Sequence, residues 1–263
     1  MALTVDVAII GAGLGGLSTA FYLQKLRPNL NIVILEASHR IGGRTLSVDM
    51  KVRNGKTARF ESGGQWIGPL HTDLLDLLKE FQLHDQLYTQ YLDGKKVCWL
   101  EKEKISTYSL DLPFLNPFIY LEAFLFMRKI DKYSESLDGD NPFISNPELA
   151  EYLDSMTCES LIRTNIHGSR LREIIRIAIR TTFGFETTQI SALYVVLYAK
   201  SSGNIEALFS ANNNGAQKLK LAGGISQISE KLIEMIGKDN VYFNSPVKST
   251  KQVPLYIYFP FQG

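Results

Sequence analysis

The chain has 263 residues, which is long enough for one large domain or two small ones with a sizeable core. Hydrophobic residues make up 45% and charged residues 21%, so the composition is globular and excludes a disordered or collagen-like chain. Lys and Arg total 28 against 27 for Asp and Glu, and this net charge of +1 argues against a general electrostatic interaction with nucleic acid.

The first predicted unit is a strand, a glycine turn, a helix and a second strand. Residues 4–10 and 31–35 are β-branched apolar runs of the kind found in buried parallel strands. Between them, Leu14, Leu17 and Phe21 recur at helical spacing, and the helix cannot continue past Pro28. The pattern predicts a βαβ unit with a right-handed crossover.

The glycine turn in this unit matches GxGxxG at Gly11, Gly13 and Gly16. The first glycine permits a tight turn, the second lets the backbone approach a pyrophosphate, and the third lets helix and strand pack closely. The phosphates then lie at the helix N-terminus. Glu36 ends the second strand 20 residues after Gly16, where it is placed to accept hydrogen bonds from ribose hydroxyls and to repel a 2′-phosphate. NAD and FAD both fit, and a glycine turn of an unrelated α/β protein is the alternative.

Two further glycine clusters follow. A glycine pair lies between Arg40 and Arg44, which brings backbone beside a dinucleotide and lets Arg44 neutralise pyrophosphate charge, unless it is simply a solvated surface arginine. Residues 57–69 contain Gly63, Gly64 and Trp66, and this density of glycine predicts closely approached backbone rather than a regular element.

The middle of the chain is predicted to be mainly helical. Apolar residues recur at helical spacing within residues 74–81, 149–156, 171–179 and 225–235. Thr72 and Asn146 are predicted N-caps, and Gly237 suits a helix end. Residues 240–243 and 246–248 return to strand character, and Asp93-Gly94 fits a turn between strands.

One region is rich in aromatic residues. It holds Phe114, Phe118, Tyr120, Phe124 and Phe126, which are expected to pack inside the helical part, with a substrate wall as the alternative.

Four segments in combination resemble the flavin-containing amine oxidases, in particular the monoamine oxidases. They are DVAIIGAGLGGLSTA, LEASHRIGGRT, ESGGQWIGP and NGAQKLKLAGGISQISEKL, and the resemblance runs from about Asp6 to about Thr250. It implies an α/β fold with a Rossmann-like FAD-binding domain, residues 1–70 and 213–250. A mainly helical α+β substrate domain, residues 71–212, is inserted into it. Residues 251–263 do not resemble the family and are predicted to be a divergent tail.

The resemblance implies FAD as the cofactor, with a small-molecule amine and O2 as partners. The implied reaction is oxidative deamination of a primary or related amine, in which the flavin accepts hydride equivalents from the α-carbon of the neutral amine. The products are an imine, which hydrolyses to an aldehyde, and hydrogen peroxide. Polyamine and L-amino-acid oxidases are the nearest alternatives. An NAD-dependent dehydrogenase and a non-catalytic dinucleotide-binding fragment remain as other classes.

Matching positions imply the roles of individual residues. FAD contacts are implied for Gly11, Gly13, Gly16, Glu36, Arg44, Gly63, Gly64 and Val247. Substrate-cavity positions are implied for Trp66, Thr181, Thr182 and Gln217. Trp66 stands where the family often has tyrosine, the two threonines stand at more apolar or thiol-bearing positions, and Ser38 replaces a frequent arginine. No catalytic side chain is predicted, and the four scattered histidines predict no metal site.

Family members are much longer than this chain. Their later half supplies an aromatic pair over the flavin, a lysine near it and a second FAD motif, so we expect this truncated chain to be a poor or inactive oxidase by itself. The two cysteines form no disulfide framework, no secretory signal is recognisable, and no apolar run is long enough for a membrane span. These features predict an intracellular, cytoplasmic chain, whereas the resemblance makes the mitochondrial outer membrane compatible with a full-length form that carries a C-terminal helix.

Overall fold

The computed structural model describes residues 4–89, 91, 93–99, 106–108, 117–212, 214–253 and 256–258. In chain order, the elements are β1 (Val7–Ile10), α1 (Leu14–Leu26), β2 (Ile32–Leu35), β3 (Ser47–Lys51), β4 (Thr57–Glu61), α2 (Thr72–Glu80), β5 (Leu87–Thr89), β6 (Lys96–Cys98), β7 (Ser106–Tyr108), α3 (Pro117–Glu135), α4 (Pro142–Ser145), α5 (Pro147–Asp154), α6 (Cys158–Asn165), α7 (Ser169–Phe183), α8 (Ala192–Ser201), α9 (Ile205–Phe209), β8 (Leu219–Leu221), α10 (Ser226–Ile236), β9 (Val241–Tyr242), β10 (Lys251–Val253) and β11 (Tyr256–Tyr258). Short 3₁₀ turns precede β5 and β9.

The chain divides into two compact units. The first contains Met1–Gln65, Asp73–Tyr88 and Lys220–Gly263, and the second contains Trp66–Thr72 and Thr89–Leu219. These limits differ from the sequence-based domains, which placed residues 71–212 together. Phe81 packs edge-to-face on Phe21, and Glu80 pairs with Lys25 of α1, so the segment that follows Thr72 joins the first unit by direct contact.

The first unit is built on a parallel sheet. β2 lies between β1 and β9, with Val7 opposite Ile32 and Ile34 opposite Val241. All four residues of β2 are buried, as expected for a strand covered on both faces. α1 packs against α10 in this unit. The predicted βαβ unit and the α/β fold class are therefore confirmed.

An antiparallel hairpin, β3–β4, follows the parallel strands in the first unit. Met50 lies opposite Ala58, and Val48 lies opposite Phe60. The prediction that residues 57–69 form no regular element is therefore wrong for Thr57–Glu61. The glycines that break regular structure begin only at Gly63, so the residues before them are free to pair with β3.

The second unit is mainly helical. α3 and α8 pack against each other, and α8 also contacts α5, α6 and α9. Asn146 accepts a hydrogen bond from the Leu149 N–H, which confirms it as an N-cap. Ser169 is the first residue of α7, and the acid Glu122 accepts hydrogen bonds from the N–H groups just before it. The core of this unit consists of Ala123, Phe126, Ile130, Leu137, Ala150, Leu153, Cys158, Leu161, Ile162, Ile166, Leu171, Ile179, Ile190, Ala192, Leu193, Val195, Val196, Ala199, Ile205 and Leu208.

Some local predictions are corrected. The hairpin of the second unit pairs β6 with β7, and Asp93-Gly94 lies in a bend between β5 and β6. Only part of the aromatic cluster packs inside, because Phe126 is buried whereas Phe124 lies half exposed on the other side of α3; Phe114 falls outside the described residues. Residues 246–248 form no named strand.

The tail contains a short pair of strands. β10 and β11 of the tail pair as an antiparallel hairpin. Within the described ranges, no helix combines the length and the apolarity that crossing a membrane would require.

Candidate cofactor site

The glycine turn of the first unit joins β1 to α1. Gly11 has φ +100°, a value that favours glycine, and its N–H donates to the Leu35 carbonyl at 2.8 Å. A β-carbon on Gly16 would lie 2.0 Å from the Gly11 carbonyl oxygen, so only glycine permits this approach of helix to turn. No side chain among the described residues caps the N-terminus of α1, and its first turn contains no acid. The free N–H groups and the helix dipole are thus available to an anion.

The carboxylate of Glu36 is held beside this turn. Its Oε2 accepts a hydrogen bond from the Ala12 N–H at 2.7 Å, and its Oε1 accepts from the N–H and hydroxyl of Ser38 at 2.8 and 2.7 Å. Burial acts to raise the pKa of Glu36, but the hydrogen bonds from Ser38 and Ala12 outweigh it and lower the pKa. Glu36 is therefore ionised and fixed at the end of β2, with lone pairs left for further donors.

The loop after β2 lies against the glycine turn. The Gly42 N–H donates to the Ala12 carbonyl at 2.9 Å, and Gly13 forms a backbone bridge with Gly42. Arg40 bonds the loop itself, because its guanidinium donates to the carbonyls of Ile41 and Gly43 at 3.1 and 2.7 Å.

Arg44, by contrast, is exposed. Its guanidinium has no hydrogen-bond or ion-pair partner among the residues that the structure describes. Of the two arginines that flank the glycine pair, Arg40 is thus used structurally and Arg44 is available to a ligand phosphate.

A second glycine pair also contacts this loop. A β-carbon on Gly63 would lie 2.2 Å from the Arg44 carbonyl oxygen, and the Gly64 N–H donates to the same oxygen at 3.1 Å. Gly64 has more room, since its nearest neighbour would lie 3.9 Å away. Gly63 and Gly64 therefore lie directly beside the segment that carries Arg44.

The β3–β4 hairpin, which precedes Gly63 and Gly64, is hydrogen-bonded to the start of α10. Glu61 accepts hydrogen bonds from the Ile225 N–H at 2.8 Å and from the Ser47 hydroxyl, and Ser47 and Ser226 exchange two further bonds. Val247, the remaining predicted FAD contact, follows β9 and is partly buried. The first unit thus brings the glycine turn, Glu36, Arg44 and Gly63-Gly64 together, with Val247 on a separate segment.

The predicted substrate-cavity residues lie in the second unit. Ile67 and Leu219 form an antiparallel bridge with two 2.9 Å hydrogen bonds, and a β-carbon on Gly68 would lie 2.8 Å from Ala216 Cα. The segments that carry Trp66 and Gln217 are therefore adjacent. Thr181 and Thr182 lie in the last turn of α7, where Thr181 is exposed and Thr182 is half buried.

Several residues that build the site were not predicted from the sequence. Ser38, Arg40, Glu61 and Ser47 fix Glu36, the loop and the second glycine pair. Their roles were hard to predict from the sequence, because polar residues next to an acid or a glycine are common in loops. In the described part of the chain, no group of three or more His, Cys, Asp or Glu side chains is arranged to hold a metal ion.

Comparison with known proteins identifies the family. The model of the flavin containing amine oxidoreductases matches residues 14–254. The chain belongs to this family. The flavin amine oxidases use FAD. The turn fits this cofactor, because its helix end has no side-chain cap, its glycines leave room for close approach, and the nearby Arg44 is unpaired among the described residues.

Individual relatives agree with this assignment. The chain is 33% identical over 253 residues to a probable flavin-containing monoamine oxidase A of Dictyostelium discoideum, covering 96% of this chain and 53% of the relative. It is 30% identical over 245 residues to the human flavin-containing amine oxidase B, covering 92% of this chain and 44% of the relative. The chain therefore spans about half the length of these curated relatives.

Solved structures of amine oxidases share the fold. Putrescine oxidase bound to putrescine superposes with a TM-score of 0.86 at 27% identity, covering 99% of this chain and 55% of that chain. Cyclohexylamine oxidase from Brevibacterium oxydans gives a TM-score of 0.84 at 26% identity, covering 98% and 55%.

Proposed function

We propose that the chain takes part in FAD-dependent oxidative deamination of a primary or related amine by O2. The products are an imine, which hydrolyses to an aldehyde, and hydrogen peroxide. The observation that carries this proposal is the ionised carboxylate of Glu36, which is held at the glycine turn beside an uncapped helix N-terminus. An acid at this position suits the ribose of an adenine dinucleotide and disfavours a 2′-phosphate.

The first unit supplies the contacts to FAD in this proposal. Gly11, Gly13 and Gly16 give the pyrophosphate access to the N-terminus of α1, and Arg44 balances its charge. Glu36 accepts hydrogen bonds from the ribose hydroxyls. Gly63, Gly64 and Val247 offer backbone and a small apolar side chain to the rest of the cofactor.

The second unit supplies the substrate side. We assign the helical insertion to amine binding, with Trp66 and Gln217 on paired segments and with Thr181 and Thr182 at the end of α7. The indole of Trp66 offers an apolar surface, and the threonine hydroxyls offer hydrogen-bond partners, to a small amine. Putrescine oxidase and cyclohexylamine oxidase, which share the fold, are named for a diamine and a cyclic amine, so the proposal stays at the level of small amines.

When bound, the flavin supplies the redox chemistry by accepting hydride equivalents from the α-carbon of the amine. The residues of this chain bind the cofactor and the amine and orient them. The glycines and Glu36 would hold the adenosine end of the cofactor. No acid–base triad is required of the protein for such a reaction.

The experiment that tests this proposal uses two proteins. One is the chain itself, and the other is the chain extended by the later half of the Dictyostelium relative. Each is supplied with FAD and assayed for peroxide with phenylethylamine, serotonin, spermine and an amino acid. We expect the extended protein to turn over an amine at a typical enzymatic rate, about 1–10³ per second, and the chain alone to be slow. An extended protein that retains FAD but oxidises no amine contradicts the proposed activity.

A further inference from the structure

The outward face of α3 combines exposed apolar side chains with exposed cations. Neither group has a role in the proposed oxidase function. Leu121, Phe124 and Leu125 are 54%, 50% and 58% exposed. One to two turns further along the same face come the exposed cations Arg128 and Lys132. Residues 121, 125, 128 and 132 follow the i, i+4, i+7, i+11 spacing of a single helical stripe.

The inward face of α3 holds the helix firmly in the second unit. Ala123, Phe126 and Ile130 are buried in its core. α3 packs mainly against α8. The outward apolar side chains are therefore presented on a fixed element, in contrast to scattered surface residues, which need no explanation.

Charge is distributed unevenly between the two faces of α3. The carboxylate of Glu122 accepts hydrogen bonds from the backbone N–H groups of His167 and Gly168. Asp131 accepts one from the Ile205 N–H at 2.9 Å. These two acids are directed toward neighbouring backbone, so the outward stripe keeps its cations, with Glu135 as the acid at its end.

The cations also cooperate with the apolar residues. The Arg128 guanidinium lies 5.7 Å from the centre of the Phe124 ring. Lys129, beside the stripe, is already paired, because its ammonium group donates to the side chain of Asn165 in α6 and lies 5.7 Å from the Tyr133 ring.

From these observations we propose that α3 docks on an anionic lipid surface, lying in its plane. Leu121, Phe124 and Leu125 enter the boundary between headgroups and acyl chains, and Arg128 and Lys132 contact the anionic headgroups. An apolar stripe with adjacent basic residues is the composition of interfacial helices. Negative lipid headgroups are the partner that this charge complements. The helix lies on the membrane and does not cross it.

The test is co-flotation of the full chain with vesicles of neutral phosphatidylcholine and with vesicles that contain about 30% phosphatidylserine. We expect binding to the anionic vesicles at about 0.1 M salt, weaker binding at about 0.5 M, and little binding to the neutral ones. The double variant Phe124→Ser/Leu125→Ser tests the contribution of the apolar side chains of α3 to vesicle binding. Its control is Leu26→Ser/Met235→Ser, which alters two exposed apolar residues on other helices.

The basic part is tested by Arg128→Gln/Lys132→Gln. Lys51→Gln/Lys56→Gln, on the exposed β3–β4 hairpin, is a control with the same change in net charge. We expect about 30-fold weaker binding in the first variant, at about fivefold per cation, and little change in the control. Thermal melting of each variant checks that the fold is retained.

Other results overturn the proposal. Absence of vesicle binding, equal binding to neutral and anionic vesicles, or equal loss in test and control variants contradicts it. A chain that ignores vesicles but forms a dimer, which Phe124→Ser/Leu125→Ser disperses in light scattering, shows that a second copy covers this face and also overturns it.

Discussion

Gly16 approaches Gly11 so closely that a β-carbon on Gly16 would lie 2.0 Å from the Gly11 carbonyl oxygen. Gly13, in the same motif, is different, since its β-carbon would meet its nearest neighbour, Gly43 Cα, only at 3.9 Å. Glycine at position 16 is thus required by the fold, whereas the structure has room for a β-carbon at position 13. We propose that glycine at position 13 lets a ligand approach the backbone closely.

Gly16→Ala should therefore destabilise the protein without any ligand present. The added methyl group must displace the Gly11 carbonyl, and overpacking of this kind costs about 1–3 kcal/mol. Urea unfolding followed by circular dichroism measures the change. Gly15→Ala is the matched control, because nothing lies within 4 Å of a β-carbon there and alanine favours a helix. Equal stability of the two variants would contradict the packing role of Gly16.

Glu36→Gln is expected to weaken FAD binding about ten- to hundredfold. The variant loses charge-assisted hydrogen bonds to the ribose, which together contribute about 1.5–3 kcal/mol. Calorimetric titration with FAD gives the dissociation constant, and ADP serves as a second ligand that contains the same ribose. If both affinities stay unchanged, the ribose does not contact Glu36.

Substitutions of Arg44 and Arg40 should have different effects, the first on FAD affinity and the second on thermal stability. Arg44→Gln should lower FAD affinity and reduce its dependence on salt, with an unchanged melting temperature, because its side chain is exposed and unpaired among the described residues. Arg40→Gln should instead lower the melting temperature, because it loses bonds to the Ile41 and Gly43 carbonyls. The reverse pattern in thermal melts and titrations would show that the two roles are exchanged.

An acid in the helical unit gives a prediction about pH. Arg176, Arg163 and Thr187 all donate hydrogen bonds to Glu159. The bonds from Arg176 are the largest cause, and the pKa of Glu159 falls from 4.5 to about 2. A carboxyl group whose pKa is lower in the folded state stabilises the fold above its unfolded pKa, and this stabilisation is lost as the pH falls through the folded pKa.

The stability of the wild-type chain should therefore fall between about pH 4.5 and pH 2 in part because of Glu159. Glu159→Gln should be less stable at pH 7 by about 2 kcal/mol and should lose less stability over that acid range. Urea unfolding at a series of pH values measures both quantities. Parallel pH profiles for the two proteins would show that this carboxylate does not contribute to acid unfolding.

The comparison of sequence and structure shows which features are local. The βαβ unit was predictable, because β-branched runs, the glycine spacing and Pro28 all act within neighbouring residues. The N-cap at Asn146 was predictable for the same reason. The association of Phe81 with Phe21 was not, since it depends on a tertiary contact between segments that are distant in the chain.

The candidate site shows the same division. Gly11, Gly13, Gly16 and Glu36 form a recognisable spacing, whereas the attachment of Glu61 to Ile225 joins residues that only the fold brings together. The exposure of Phe124 was also missed, because an aromatic residue in a helical segment predicts burial whenever the helix phase is unknown.

The central claim is that the glycine turn holds FAD, and the visible absorption spectrum tests it most directly. The chain and Gly13→Val are incubated with FAD, freed of unbound cofactor by gel filtration and compared at equal concentration. We predict that the wild-type chain retains a flavin that absorbs blue light. Gly13→Val should lose most of it while remaining folded, with only a small fall in melting temperature, because valine blocks the approach of the pyrophosphate but is a poorer N-cap than glycine. Equal flavin retention by the two proteins, or retention of NAD in place of FAD by the wild-type chain, would contradict the claim.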